Sequence, residues 1–330
     1  MNLERYFSDI INDVNNAIAK YLESANTPTL YEASRHLFSA GGKRLRPLIL
    51  VSSADSLGGD RKRSILAGAA IETLHTFTLV HDDIMDHDSL RRGLPTVHVK
   101  WGEPMAILAG DLLHAKAFQM LNDSLTGFDN DIYHKVMETF VNSVITLSEG
   151  QAMDMEFENR DDVAIDDYME MIKKKTAYLI ACSSGIGSMI SGGDNTTFEK
   201  FFNFGLYLGI SFQIVDDIIG ITSDESELGK PVFSDIREGK RTLLVIKTLN
   251  EASSEELLLL RSVLGNRNSS HEDLKKAAEI IKTHSFEYAY NLAEKYKVMA
   301  LSNLSEINFK NKDAIDALIY ISDFTVKRRK

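Results

Sequence analysis

HTFTLVHDDIMDHDSLRRG, residues His75 to Gly93, ends an apolar run with a burst of acid and then of base. The run over 66–84 reads as a long helix, apolar on most sides and therefore buried. On such a helix Asp82 and Asp86 lie four residues apart, so their carboxylates leave one face on successive turns. Asp83 sits beside that face. Three carboxylates at the end of an apolar helix repel one another, and bound cations relieve the repulsion. Oxygen donors of this kind suit Mg²⁺, which keeps water and phosphate oxygens among its ligands. His81 and His87 are neighbours, but no tight histidine triad accompanies them, so the oxygen-rich set favours magnesium over zinc. Asp88 either adds to the field or faces solvent. Arg91-Arg92-Gly93 follows at once. Guanidinium forks match phosphate geometry, and Gly93 permits a turn that can aim both arginines inward. The competing reading, a charged helix end in water, conflicts with the apolar lead.

Outward from this segment the helical rhythm fills the chain. Leu3, Phe7, Ile10, Ile11, Val14 and Ile18 form the first stripe. Further helices are expected over 104–120, 129–157, 166–188, 196–219, 242–249, 254–264, 270–284, 286–304 and 313–327. Pro104 stands at an early-turn position that tolerates a missing N–H. Gly41-Gly42, Gly58-Gly59, Gly93 with Pro95, Gly127 and Gly192-Gly193 mark turns. Period-two alternation and a βαβ rhythm are both missing. The pattern predicts an all-α fold, one large helical-bundle domain over 1–330.

Composition narrows the function. Of 330 residues, 44% are hydrophobic and 26% charged, a globular balance, and the formal charge is -11. That acidity argues against a nucleic-acid partner. One cysteine, Cys182, excludes an internal disulfide framework and a cysteine-rich zinc site, and its apolar neighbourhood makes it a core thiol. The opening residues read as neither a signal peptide nor a transmembrane segment, and a cytoplasmic location is expected. The basic run at Lys327 to Lys330 reads as a solvated end able to touch anionic lipid.

Two other segments carry chemistry. Gly41-Gly42-Lys43-Arg44-Leu45-Arg46-Pro47 packs three cations into four residues after two glycines. A phosphate-binding turn and a basic surface helix start are both open readings. Cations at a helix N-terminus oppose its dipole, which a bound anion would explain. Farther on, Asp216 and Asp217 end a second apolar helix, three residues after Gln213, whose buried amide needs a partner. This mirrors the first cluster and suggests two halves of similar design facing one cavity. Downstream, Lys230 and Lys240 lie beside glycine turns. Between the clusters, Lys173-Lys174-Lys175-Thr176 enters an apolar helix.

DDIMD followed by HDSLRRG resembles the first aspartate-rich motif of the trans-prenyl diphosphate synthases, DDxxD and then RRG, at every fixed position. The resemblance covers nearly the whole chain and is shared most with archaeal geranylgeranyl diphosphate synthases. It implies an isoprenoid-synthase bundle with a central apolar cavity. It further implies a magnesium-dependent prenyltransferase that joins isopentenyl diphosphate to allylic diphosphates. Three Mg²⁺ ions would be held by Asp82, Asp86 and Asp216. Arg91, Lys175, Lys230 and Lys240 would contact the allylic diphosphate, with Thr176 and Gln213 nearby. Lys43, Arg46, His75 and Arg92 would hold isopentenyl diphosphate. Glu149, Gly150, Gln151 and Asp154 match positions facing the cavity. The family's second motif is also DDxxD, but Gly220 stands at its last position, which removes the third carboxylate. Phe77, five residues before Asp82, would limit chain length, with Leu74 and Ile71 above it. On an ideal helical wheel Thr78 lies closer beneath Asp82, so this role rests on the resemblance. The implied product is geranylgeranyl diphosphate, with farnesyl or longer products as the alternative. A homodimer or higher homo-oligomer is expected. A terpene cyclase is disfavoured by DDIIG and GGKRLRP, and a non-catalytic scaffold by the intact aspartates.

Overall fold

The computed structural model describes residues 2–23, 26–158, 160–222, 233–305 and 307–327; Lys230 lies outside them. In order the elements are α1 (Leu3–Tyr21), α2 (Pro28–Ser39), α3 (Leu45–Ser56), α4 (Arg61–Met85), β1 (Leu90–Arg91), β2 (Leu94–Pro95), α5 (Val97–Trp101), α6 (Glu103–Ser124) and α7 (Asn130–Phe157). There follow α8 (Ile165–Ile172), a π-helical turn (Lys173–Ala177), α9 (Tyr178–Met189), α10 (Asn195–Thr222), α11 (Ser234–Glu238), α12 (Leu243–Glu251), α13 (Ser254–Val263), α14 (His271–Ser302) and α15 (Lys312–Lys327). The expected all-α fold is what forms, and among the described residues the β1–β2 hairpin is the only sheet.

The chain divides into two compact units. One comprises Met1–Val141, Cys182–Phe202 and Leu304–Ile321, the other Asn142–Ala181, Asn203–Asn303 and Ser322–Lys330. In the first, α1 starts where the Asn2 side chain accepts from the Arg5 N–H, and Ile10, Val14 and Ile18 repeat at helical spacing on its buried face. Each such side chain contributes about 1.5–3 kcal/mol by leaving water. Asp60 caps α4 by accepting from the Lys62 and Arg63 N–H groups. α4 then runs between α3 and α6 with Ile71 and Leu74 fully buried. Cys182 is a buried thiol. In the second unit, Tyr168, Ile214, Leu243, Leu244, Ala277 and Ile281 belong to one apolar core.

Three local expectations change. The helix expected over 166–188 contains the π turn, where Gly150 and Gly209 face its backbone at close range. A Cβ at Gly150 would lie 2.3 Å from the Lys175 nitrogen, and one at Gly209 2.5 Å from the Ala177 Cα. The helices expected over 270–284 and 286–304 are one helix, α14. Ser285 does not break it, because its hydroxyl donates to the Ile281 carbonyl at 2.6 Å and stays buried. Helix α2, which no periodic stripe announced, starts with Pro28 in its first turn. By length and composition α10 could cross a membrane, with mean hydropathy 1.4, but 67% of that window is buried inside the protein.

Candidate active site

In the first unit the site is built on the end of α4. The Asp86 N–H donates to the Asp82 carbonyl at 2.8 Å, so these aspartates occupy successive turns, and both are half-buried. Asp83 between them is only 1% exposed. One of its oxygens accepts from Arg91 Nε, and the other is buried without a partner among the described residues. Burial pushes the Asp83 carboxyl up to about 6, and the Arg91 guanidinium opposes that push.

After α4 the chain reverses through His87 at φ 57° into the β1–β2 hairpin. Arg92 (φ 53°) and Gly93 (φ 78°) form its two-residue turn. Positive φ at both positions marks a type I′ turn, whose twist suits a hairpin. The turn sends the two adjacent arginines to different targets rather than aiming them together. Arg91 returns to Asp83 and, at 3.2 Å, to Asp88, so Asp88 is an ion-pair partner and not merely a solvent-facing acid. Arg92 donates to the Gly41 carbonyl.

That carbonyl belongs to the turn expected to bind phosphate. Lys43 is exposed there, while Arg46 is buried in the first turn of α3. Arg44 is not a third outward cation: it is buried and paired with Glu72 at 3.1 Å. His75, on the same helix as Asp82, is held well below its usual pKa by burial and by the field of Arg46, Arg92, Arg91 and Arg44. It is neutral at pH 7. Phe77 is half-buried, its ring edge-on to His81 at 4.8 Å and His114 at 5.1 Å, whereas Leu74 is fully buried.

In the second unit a parallel arrangement ends α10. Asp216 is half-buried and Asp217 is 6% exposed. Both Asp217 oxygens are engaged: Tyr168 Oη donates at 2.6 Å and Gln213 Nε2 at 2.8 Å. Thr176 Oγ1 donates to Gln213 Oε1 at 2.7 Å. Burial pushes the Asp217 carboxyl up to about 8, with the Tyr168 hydrogen bond opposing and the nearby Asp235 charge adding to the rise. A Cβ at Gly220 would lie 2.8 Å from Asp235 Oδ2, a contact that the Asp235 side chain can relieve by turning.

The lysines read from sequence converge in this unit. Lys175 Nζ and Lys240 Nζ lie 2.6 and 3.2 Å from the same oxygen of Asp154, and Lys240 also reaches Glu158 at 2.8 Å. Burial would raise the Asp154 carboxyl, but the two ammonium groups outweigh it and hold it below the usual range. Gln151 has both amide atoms buried without partners among the described residues. Sequence reasoning did not single out Arg44, Glu72, Tyr168, Glu158 or Asp235. Tyr168 carried a usable signal, because a tyrosine within an apolar stripe must find a partner for its hydroxyl.

Comparison with known proteins identifies the family. The Polyprenyl synthetase family model matches residues 27–281. The geranylgeranyl diphosphate synthase of Saccharolobus solfataricus is 59% identical over 100% of this chain and 99% of its own. The crystal structure of a geranylgeranyl pyrophosphate synthetase from Pyrococcus horikoshii superposes with a TM-score of 0.90 at 37% identity, over 99% of this chain and 100% of that one. A geranylgeranyl pyrophosphate synthase from Corynebacterium glutamicum, solved with isoprenyl diphosphate and magnesium, gives 0.89 at 25% identity, over 98% and 99% of the two chains. The chain belongs to the polyprenyl synthetase family, and its all-α isoprenoid-synthase fold carries prenyltransferase chemistry that builds polyprenyl diphosphates.

Proposed function

We propose that the protein condenses isopentenyl diphosphate with dimethylallyl, geranyl and farnesyl diphosphates in turn and releases geranylgeranyl diphosphate. The observation that carries this reading is the end of α4. There two half-buried carboxylates stand on successive turns beside an arginine hairpin and a glycine–lysine turn. The names of the Saccharolobus and Pyrococcus relatives support the product, and the Corynebacterium complex supports the metal.

The donor set fits magnesium. Asp82, Asp86 and Asp216 offer hard oxygens, and the unpartnered buried oxygen of Asp83 adds negative potential. Among the described residues no three ligating side chains surround one point. Asp82 and Asp86 on α4, and Asp216 on α10, would therefore each hold metal with water and substrate oxygens completing the ligand set. When bound, magnesium supplies charge neutralisation that makes diphosphate a better leaving group.

The chain's own residues do the rest. By the family resemblance, Arg91 would stabilise the charge that grows on the departing diphosphate, and so would Lys175, Lys230 and Lys240. Lys43, Arg46 and Arg92 hold isopentenyl diphosphate, and neutral His75 adds a hydrogen bond without adding charge. The allylic C–O bond breaks with its electron pair leaving on the diphosphate, the isopentenyl double bond attacks the resulting carbon centre, and the proton lost from the new chain passes to the departing diphosphate. No side-chain nucleophile takes part. Phe77, braced by His81 and His114, stops elongation.

A magnesium-dependent assay with each allylic primer, read by chromatography of products, tests this. Twenty-carbon product from all three primers is expected, and Phe77→Ala should shift the distribution to longer chains. No condensation with any primer would end the proposal, and unchanged lengths in Phe77→Ala would remove Phe77 as the stop.

A further inference from the structure

Arg44 is buried in the same turn that leaves Lys43 exposed. It is 3% exposed and its φ is 48°, a left-handed conformation that L-residues avoid unless surrounding contacts impose it. Those contacts come from several elements. Nη1 donates to Glu72 Oε1 on α4 and to the Gly41 carbonyl, both at 3.1 Å; Nη2 donates to the Phe38 carbonyl at 3.2 Å; Nε donates to Asn15 Oδ1 on α1 at 3.0 Å. The guanidinium carbon also lies 5.7 Å from the centre of the Phe38 ring. Glu72, the matching buried charge, is 3% exposed and sits one helical turn before His75.

The Gly41 carbonyl is shared, since it accepts from Arg44 and from Arg92. Gly42 beside it has φ +142°, and a Cβ there would lie 2.6 Å from Arg92 Nη1 and 2.9 Å from Arg44 Nη1. Two guanidinium groups thus close over one glycine backbone. A buried ion pair is a poor source of stability compared with apolar side chains of equal volume, so its use here calls for a role in registry.

We propose that Arg44 is a positioning residue for the isopentenyl-side diphosphate. With Glu72 as counter-charge it fixes the turn at Gly41, Gly42 and Lys43, and through the Gly41 carbonyl it fixes Arg92. This rests on the reading above that Lys43, Arg46 and Arg92 bind isopentenyl diphosphate.

The test is steady-state kinetics with each substrate varied at saturating levels of the other, on Arg44→Gln, Glu72→Gln and the double variant Arg44→Met/Glu72→Leu. The KM for isopentenyl diphosphate should rise roughly tenfold or more, as expected for losing a charge-assisted hydrogen bond, with the allylic KM changed less than about twofold. The double variant separates positioning from folding, because its apolar pair refills the space and should keep the melting temperature while leaving the KM raised. Asn15→Ala, which spares the buried charges, should show the same selective rise at smaller amplitude. An unchanged isopentenyl KM in a well-folded double variant, or an equal rise for both substrates across the set, overturns the proposal. Wild type keeps the two readings apart. If it consumes no isopentenyl diphosphate, the proposed function fails and takes this inference with it; if it does and the variants do not discriminate, only the role of Arg44 fails.

Discussion

The ends of α4 and α10 repeat one device with different chemistry. Each carries two consecutive aspartates, and in each the first is half-buried while the second is buried and anchored. At α4 the anchor is a cation: Asp83 pairs with Arg91, whose own tendency to lose charge on burial is outweighed by Asp83 and Asp88. At α10 the anchors are neutral donors, Tyr168 and Gln213, and the Asp217 carboxyl is pushed up to about 8. An aspartate pair is therefore not two equivalent metal ligands. The outer member is half-buried, and the inner one is buried and tied to its neighbours. What meets the inner carboxyl, a guanidinium or a pair of neutral donors, is decided by the elements packed around it.

The largest effect should come from the outer members. Asp82→Asn and Asp216→Asn are expected to lower kcat by about a thousandfold each, the scale of removing a group that stabilises transition-state charge. Single-turnover condensation at saturating substrate reads this, and a near-normal rate in either variant would break the outer–inner distinction. Next come the inner members. Asp83→Asn leaves Arg91 without its buried partner and should cost about 3 kcal/mol. Asp217→Asn keeps an acceptor for Tyr168 and should cost only about 1 kcal/mol. Equal losses in urea denaturation would mean the two anchors do not differ in kind.

A smaller effect concerns the field between these groups. The folded-state pKa of His75 is depressed, so below 6.5 the unfolded chain binds a proton that the folded chain does not. Its contribution to stability is present above the unfolded value and is lost as pH falls. As pH falls below 6.5 stability should therefore decline, and His75→Gln should flatten that slope. A slope identical to wild type would show that burial and the surrounding arginines do not depress the pKa of His75.

The first cluster was legible because its parts are close in sequence. Asp82, Asp86, Arg91 and Arg92 lie within one turn of helix and one hairpin, so residue spacing already dictates their neighbourhood. The second was only partly legible. Tyr168 and Asp217 are 49 residues apart, and nothing local to DDIIG says that its second aspartate is held by a phenol. The same limit hid the meeting of Lys175 and Lys240 on Asp154, and the π turn that carries Lys175 and Thr176. Ser285 misled in the opposite direction, since a polar residue inside a periodic stripe reads as a break unless its hydroxyl bonds back to the preceding turn.

Periodicity and motif spacing alone determined the all-α fold, the position of the first carboxylate pair and the cations that accompany it. These follow from helix geometry, which acts over a few residues. Tertiary structure alone decided which aspartate of each pair is anchored, and that Arg44 turns inward to Glu72 while Lys43 stays exposed. Those outcomes depend on burial and on partners brought in from distant elements, and desolvation acts on a side chain only once the fold has surrounded it.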